Sequence, residues 1–144
     1  MALARFRFER ESSAIFGQIY RPLARVELFS LKTKEWEGVD MVVDSGADYT
    51  LLPRFYAQAL GVNIKGDCLR YETAGIGGSE TIYLLKRKHP VRLGSWKGQV
   101  PIGFLNRDDV PPLLGRQGFM ERLRVVFDGH VTSFHQPRRK RNNS

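Results

Sequence analysis

The sequence holds a single cysteine, Cys68, among 144 residues. One thiol cannot close a disulfide within the chain, which fits a reducing compartment. Cys68 lies in GDCLRYE with no histidine close by in sequence, so the setting of a thiol nucleophile is missing. Histidine is scarce as well: the three are His89, His130 and His135, and none stands at the close spacing of metal ligands. His130 and His135 are expected as surface residues in or near a C-terminal hairpin. No apolar run approaches the roughly 20 residues that cross a bilayer. The opening MALARFRFER has arginines with no sustained apolar stretch behind them, unlike a signal peptide. These absences predict a soluble, cytoplasmic protein with no membrane partner. Nucleotide-binding loops are missing too: GIGGSE lacks the full Gly-x-Gly-x-x-Gly spacing, and no Gly-Lys-Ser/Thr follows.

Acidic residues are in deficit, 15 against 23 basic ones, for a formal net charge of +8. Arg138, Arg139, Lys140 and Arg141 in PRRKR supply half of that excess. Such a run either meets a polyanion or forms a solvated terminus. No aromatic residue interleaves with it as a stacking surface for bases would need. Residues 138–144 are therefore expected as a basic, disordered tail, with no nucleic-acid partner. What remains, 1–137, has the length of one domain able to bury its own core. About the first 20 residues are expected as an N-terminal extension.

Short apolar-alternating runs dominate what is there. RFRFER, IYRPLARVELFS, WEGVDMVVD, TIYLL, HPVRL, GQVPIGFL, RLRVVFD and HVTSFH each have strand character. Pro22 marks a bend or edge, and Asp128-Gly129 marks a hairpin. PRFYAQALGV predicts a short helix with Pro53 at its start, Gly61 at its end, and Phe55, Ala59 and Leu60 on one face. RQGFMERL predicts one or two further turns. Many short strands with glycine turns suggest a mostly β, barrel- or sandwich-like domain. Asp108 and Asp109, just before Pro111-Pro112, read as a solvated turn rather than a metal site.

One stretch breaks the pattern. In VVDSGADYTLL, residues 42–52, an apolar strand runs into Asp44, turns at Ser45-Gly46, and becomes apolar again after Asp48. A carboxylate at a strand end is costly unless it is solvated or paired. Gly46 permits a tight turn and close approach to the backbone, and Ser45 can hydrogen-bond locally or across an interface. Asp44 would thus be held rigidly beside backbone donors, as a reacting carboxylate must be. A plain Asp-Ser-Gly turn is the bland alternative, but it leaves the apolar flanks unexplained.

MVVDSGADYTLLP resembles the active-site segment of aspartic proteases. AGIGGSE, residues 74–80, resembles the glycine-rich flap of the retropepsin (retroviral) type, and PLLGRQGF, residues 112–119, their later apolar-apolar-Gly-Arg segment. The order is that of the family, and the N-terminal length and the helix after the motif are closer to cellular and bacterial single-domain members than to viral ones. Gln117 stands where the viral pattern has Asn or Asp, and the flap lies further from the active-site motif. The resemblance implies a single-lobe closed β-barrel with one or two short helices. It implies Asp44 as the catalytic residue and Ser45, Gly46, Asp48 and Arg116 as loop supports, the last two as an ion pair. It implies Ala47, Gly75, Ile76, Gly77, Gly78, Leu113 and Leu114 along the substrate cleft, with peptide or protein as substrate and no metal or organic cofactor.

This chemistry uses two carboxylates that share one proton. The motif occurs once, so the second aspartate must come from another copy, in a C2 homodimer with paired Asp44 residues. Two rivals remain. One is a catalytically silent peptide-binding or assembly module on the same fold. The other is a basic nucleic-acid-binding β-barrel, which rests on RFRF and the net charge but leaves Asp44 and Arg116 without roles.

Overall fold

The structure is a computed structural model, and it describes residues 1–75 and 78–138. Period-two alternation builds its centre. In Leu23–Phe29 (β4), Ala24, Val26 and Leu28 are wholly buried, and in Trp36–Val43 (β5), Val39, Met41 and Val43 are buried. A strand turns successive side chains to opposite faces, so these form one core layer. Before them come β1 (Ala4–Arg7), β2 (Glu9–Ser13) and β3 (Gly17–Arg21). After them come β6 (Thr50–Leu52), helix α1 (Tyr56–Ala59), helix α2 (Ile64–Asp67), β7 (Cys68–Gly75) and β8 (Gly78–Leu85). The chain ends with β9 (His89–Leu93), β10 (Trp96–Val100), β11 (Ile102–Leu105), β12 (Leu113–Leu114), β13 (Arg124–Asp128) and β14 (Val131–His135).

Nine strands form one sheet in the order β10-β9-β4-β5-β12-β6-β11-β8-β7. The closed barrel expected from the sequence is not formed among the described residues. The ladder ends at β10 on one side and at β7 on the other, because β7 belongs to a long hairpin with β8 whose outer edge has no partner strand. β1, β14 and β13 form a second sheet, and among the described residues β2 and β3 pair only with each other. The C-terminal sheet closes the core with Phe134, which is wholly buried and meets Phe6 edge-on at 6.2 Å between ring centroids. β1, within the expected N-terminal extension, is part of this sheet.

Pro22 falls between β3 and β4, where no ladder N–H is required. The β13–β14 turn places Gly129 at φ +59, while Asp128 is the last paired residue of β13. Helix α1 is a single turn ending before Gly61 at φ +72. It buries Ala57 and Leu60, not the expected face: Ala59 is exposed, and Phe55 is 53% exposed and stacks on Tyr56. One turn offers only an i, i+3 contact, and Ala57 and Leu60 occupy it. RQGFMERL forms only a three-residue 3-10 turn, Met120–Arg122, after Gly118 at φ +66. Among the described residues no helix is long and apolar enough to cross a membrane.

Candidate active site

The centre of the sheet sets the position of Asp44. β12 is only two residues long, yet it lies between β5 and β6. It runs parallel to β5, with Leu113 opposite Val42 and Leu114 opposite Val43, and antiparallel to β6, with Leu113 opposite Leu51. The loop 44–49 leaves β5 and returns as β6, so it must pass over the end of β12. Main-chain bonds fasten it there. Asp44 N–H donates to Leu114 O at 3.1 Å, Arg116 N–H to Ala47 O at 3.0 Å, and Gln117 N–H to Asp48 O at 2.9 Å.

The turn itself is tight. Gly46 N–H donates to Asp44 Oδ1 at 3.0 Å, and Ala47 N–H to Asp44 O at 3.1 Å. Gly46 is not in the left-handed region. Its use is close approach, since a Cβ there would stand 3.3 Å from Asp44 Oδ1. The demand at Gly115 is stronger. A Cβ would stand 2.3 Å from Tyr49 O and 2.4 Å from Tyr49 C, both backbone atoms that cannot swing away. Thr50 completes the junction: its side chain is 1% exposed, and its Oγ1 accepts from the buried Gly115 N–H at 3.1 Å.

Asp44 itself is half-buried, and Ser45 beside it is exposed. Among the described residues the Asp44 carboxylate makes no ion pair, and the Gly46 N–H is its hydrogen-bond donor. Asp48, four residues on, instead pairs with Arg116 Nη2, and both side chains remain about half exposed. The second charge of the motif thus ties the loop to the segment after β12 without engaging Asp44.

Leu113 and Leu114 part company. Leu114 is wholly buried in the core and cannot line a cleft, because adjacent residues of a strand face opposite ways. Leu113 faces the other side, in a cross-strand row of Leu23, Val42, Leu113, Leu51, Gly103, Leu84 and Leu69. Most of the row is half-exposed, and Leu69 is 47% exposed. Gly103 is needed for its packing: a Cβ would meet Leu51 Cδ2 at 2.9 Å and Ile82 Cγ2 at 3.0 Å.

The glycine-rich segment forms the β7–β8 hairpin, paired from Cys68 with Leu85 to Gly75 with Gly78. Gly78 has φ +115. Ile76 and Gly77 lie outside the described residues. Under this hairpin an open groove of about 420 Å³ is lined by Tyr49, Tyr71, Glu72, Thr73, Ile82 and Leu84. It connects the active-site loop, through Tyr49, to the hairpin. Arg107 anchors the hairpin from outside, bonding Asp109 at 2.5 and 2.6 Å and Glu80 at 2.9 Å. The same bonds hold the Asp109 carboxyl below its ordinary pKa.

Sequence reasoning missed Thr50, Tyr49, Tyr71, Ile82 and Leu84. The alternation of Leu69, Tyr71 and Thr73 carried a strand signal for β7; nothing local marked Thr50. The remaining nucleophile candidate is unfit. Burial, then the nearby Asp67, raises the Cys68 pKa and keeps it a thiol.

Residues 24–117 match the family model described as aspartyl protease. The fold is similar to the crystal structure of a retropepsin-like aspartic protease from Rickettsia conorii, with a TM-score of 0.61 and 16% sequence identity over 90% of this chain and 98% of that one. No curated protein matches the chain by sequence.

Proposed function

Because this chain belongs to the aspartyl protease family, we propose that it is a homodimeric endopeptidase in which two Asp44 carboxylates, one from each copy, hydrolyse peptide bonds. One observation carries the reading: Asp44 is fixed almost entirely by main-chain bonds at the β5–β12–β6 junction, while among the described residues its carboxylate has no ion pair. Adjacent like charges cannot both ionise, so the pair holds one proton and its apparent pKa values belong to both residues. The ionised carboxylate takes a proton from a water between them. The water oxygen bonds to the carbonyl carbon as the protonated partner gives its proton to the carbonyl oxygen. Collapse of the tetrahedral diol breaks the C–N bond, and a carboxyl proton passes to the departing nitrogen.

Ser45, exposed beside the carboxylate, would brace one active-site loop against its symmetry mate. The Asp48–Arg116 pair would keep each loop on its own β12. The β7–β8 hairpin would act as the flap, with Gly75, Ile76, Gly77 and Gly78 at its tip. An extended peptide would lie along it by main-chain hydrogen bonds, with side chains against Ala47, Leu113 and the groove of Tyr49 and Tyr71.

The test is cleavage of a mixed peptide library by the parent and by Asp44→Asn, side by side from acid to neutral pH. The parent should cleave, with a rate that falls as pH rises past the upper pKa of the pair, and Asp44→Asn should not. Equal cleavage by both proteins, or none by a confirmed parent dimer, rejects the proposal.

A further inference from the structure

The β2–β3 hairpin is rooted one strand away from Asp44. Val43 N–H donates to Pro22 O at 2.8 Å, and Leu23 pairs with Val42, so Arg21 lies close to the end of β5. From there the hairpin runs from the Glu9–Arg21 pair to the Ser13–Gly17 pair and joins no other strand among the described residues. Five residues of strand carry its tip roughly 17 Å from its root. The root is braced. Phe8 N–H donates to His130 O at 2.7 Å, and the Tyr20 ring stacks on His130 at 3.9 Å.

The tip is a formed turn. Ser13 Oγ accepts from Ile15 N–H at 3.3 Å and Phe16 N–H at 3.2 Å, and Gly17 closes the turn at φ +75. This turn holds two large apolar side chains in water: Ile15 is 85% exposed and Phe16 76%. Apart from Met1, no large apolar residue among the described ones is more exposed. A two-stranded hairpin is marginal alone, and a paired apolar tip on a polar arm is the form of a buried anchor.

We infer that this arm is a dimer clasp, with the Ile15–Phe16 tip seated on a second copy of the chain. The inference rests on the paired-aspartate reading, which puts another copy against Asp44, within reach of an arm rooted there. Charge favours the same occupant. The arm carries Glu9 and Glu11 against Arg10 and Arg21, so it is neutral within a chain of net charge +8. A neutral arm with both signs suits a symmetric contact between identical chains, whereas a polyanion would select a basic arm.

The experiment compares the parent with the double variant Ile15→Asp/Phe16→Asp, by sedimentation equilibrium and by peptide cleavage over a range of protein concentrations. The dimer dissociation constant should rise roughly 100-fold or more. Activity per protomer should fall on dilution and recover at high concentration. An unchanged dissociation constant overturns the inference, including the case where only KM rises, which would put the tip on substrate. Should the variant not fold, a photo-reactive benzoylphenylalanine at position 16 replaces it. A covalent dimer is expected, and adducts confined to one chain or to the peptide overturn the clasp. A parent that is monomeric and inactive at every concentration sinks the paired-aspartate reading itself. A dimeric, cleaving parent with an unaffected variant sinks the arm alone.

Discussion

Thr50→Val replaces a hydroxyl by a methyl of nearly the same size at a site that is 1% exposed. It opens no cavity, so the transfer and void costs of most core substitutions are absent. What it removes is the acceptor of the Gly115 N–H, bonded at 3.1 Å. Gly115 is buried, and so is this hydrogen bond. A buried donor left unpaired costs about 1–3 kcal/mol. For a chain of this length that is a fall in Tm of roughly 3–10 °C, measured by calorimetry at one protomer concentration, because the Tm of the proposed dimer would depend on concentration. The same bond ties the end of β12 to the start of β6, next to the Asp44 loop. Peptide cleavage should therefore lose kcat more than it raises KM, and Thr50→Ser, which keeps the acceptor, should retain most of the rate. A Thr50→Val protein that melts within about 1 °C of the parent would refute the reasoning.

Two further outcomes are expected. Asp48→Asn should cost no more than about 1 kcal/mol, since the pair with Arg116 is about half exposed on both sides, and the difference in Tm should shrink in high salt. A loss of several kcal/mol would mean that a second copy desolvates the pair. His89 is buried, and that burial lowers its pKa against the opposing bond to Phe29 O at 2.7 Å. The unfolded chain then binds the proton more readily, so this contribution is present above the ordinary histidine pKa and is lost as pH falls through the folded value. Melting curves of the parent and His89→Gln across that window should differ in slope, with the parent losing stability more steeply toward acid. Parallel curves would remove His89 from the account.

The parts of the site set by neighbouring residues were legible in the sequence. Alternation in WEGVDMVV gave β5, its break gave Asp44, and the Ser-Gly step gave the turn over which Gly46 N–H reaches the carboxylate. Pro22 and Asp128-Gly129 marked real boundaries. Contacts between distant segments were not legible. β12 has two residues and no periodicity, and its place between β5 and β6 follows from pairing across some 70 residues of chain. Once it is there, Thr50 becomes a buried acceptor and Leu114 a core residue, neither of which local pattern could announce. The β2–β3 arm was legible only at its root, in the ends of RFRFER and IYRPLARVELFS, and its tip escaped for another reason. ERESS and GQIYR have no buried face, so the apolar alternation that betrays most strands has nothing to act on.

In the proposed paired-aspartate enzyme, the chemistry and the fold would set opposite limits on the working pH. A shared proton between paired carboxylates is retained more fully as pH falls, so the chemistry alone would favour acid. The fold does not. His89 is lowered by burial, and His135 is lowered by desolvation and by the nearby positive charges of Arg124, the N-terminus and Arg5. Both groups resist protonation in the folded chain, and the stability tied to them declines toward acid. The net charge of +8 adds to this, since protonating carboxylates raises self-repulsion in a chain that is already basic. On the proposed mechanism the working range would therefore be bounded above by loss of the shared proton and below by loss of the fold. If the two limits are separate, His89→Gln should extend activity on the acid side and leave the alkaline limb where it was, because the first depends on the folded fraction and the second only on the proposed Asp44 pair.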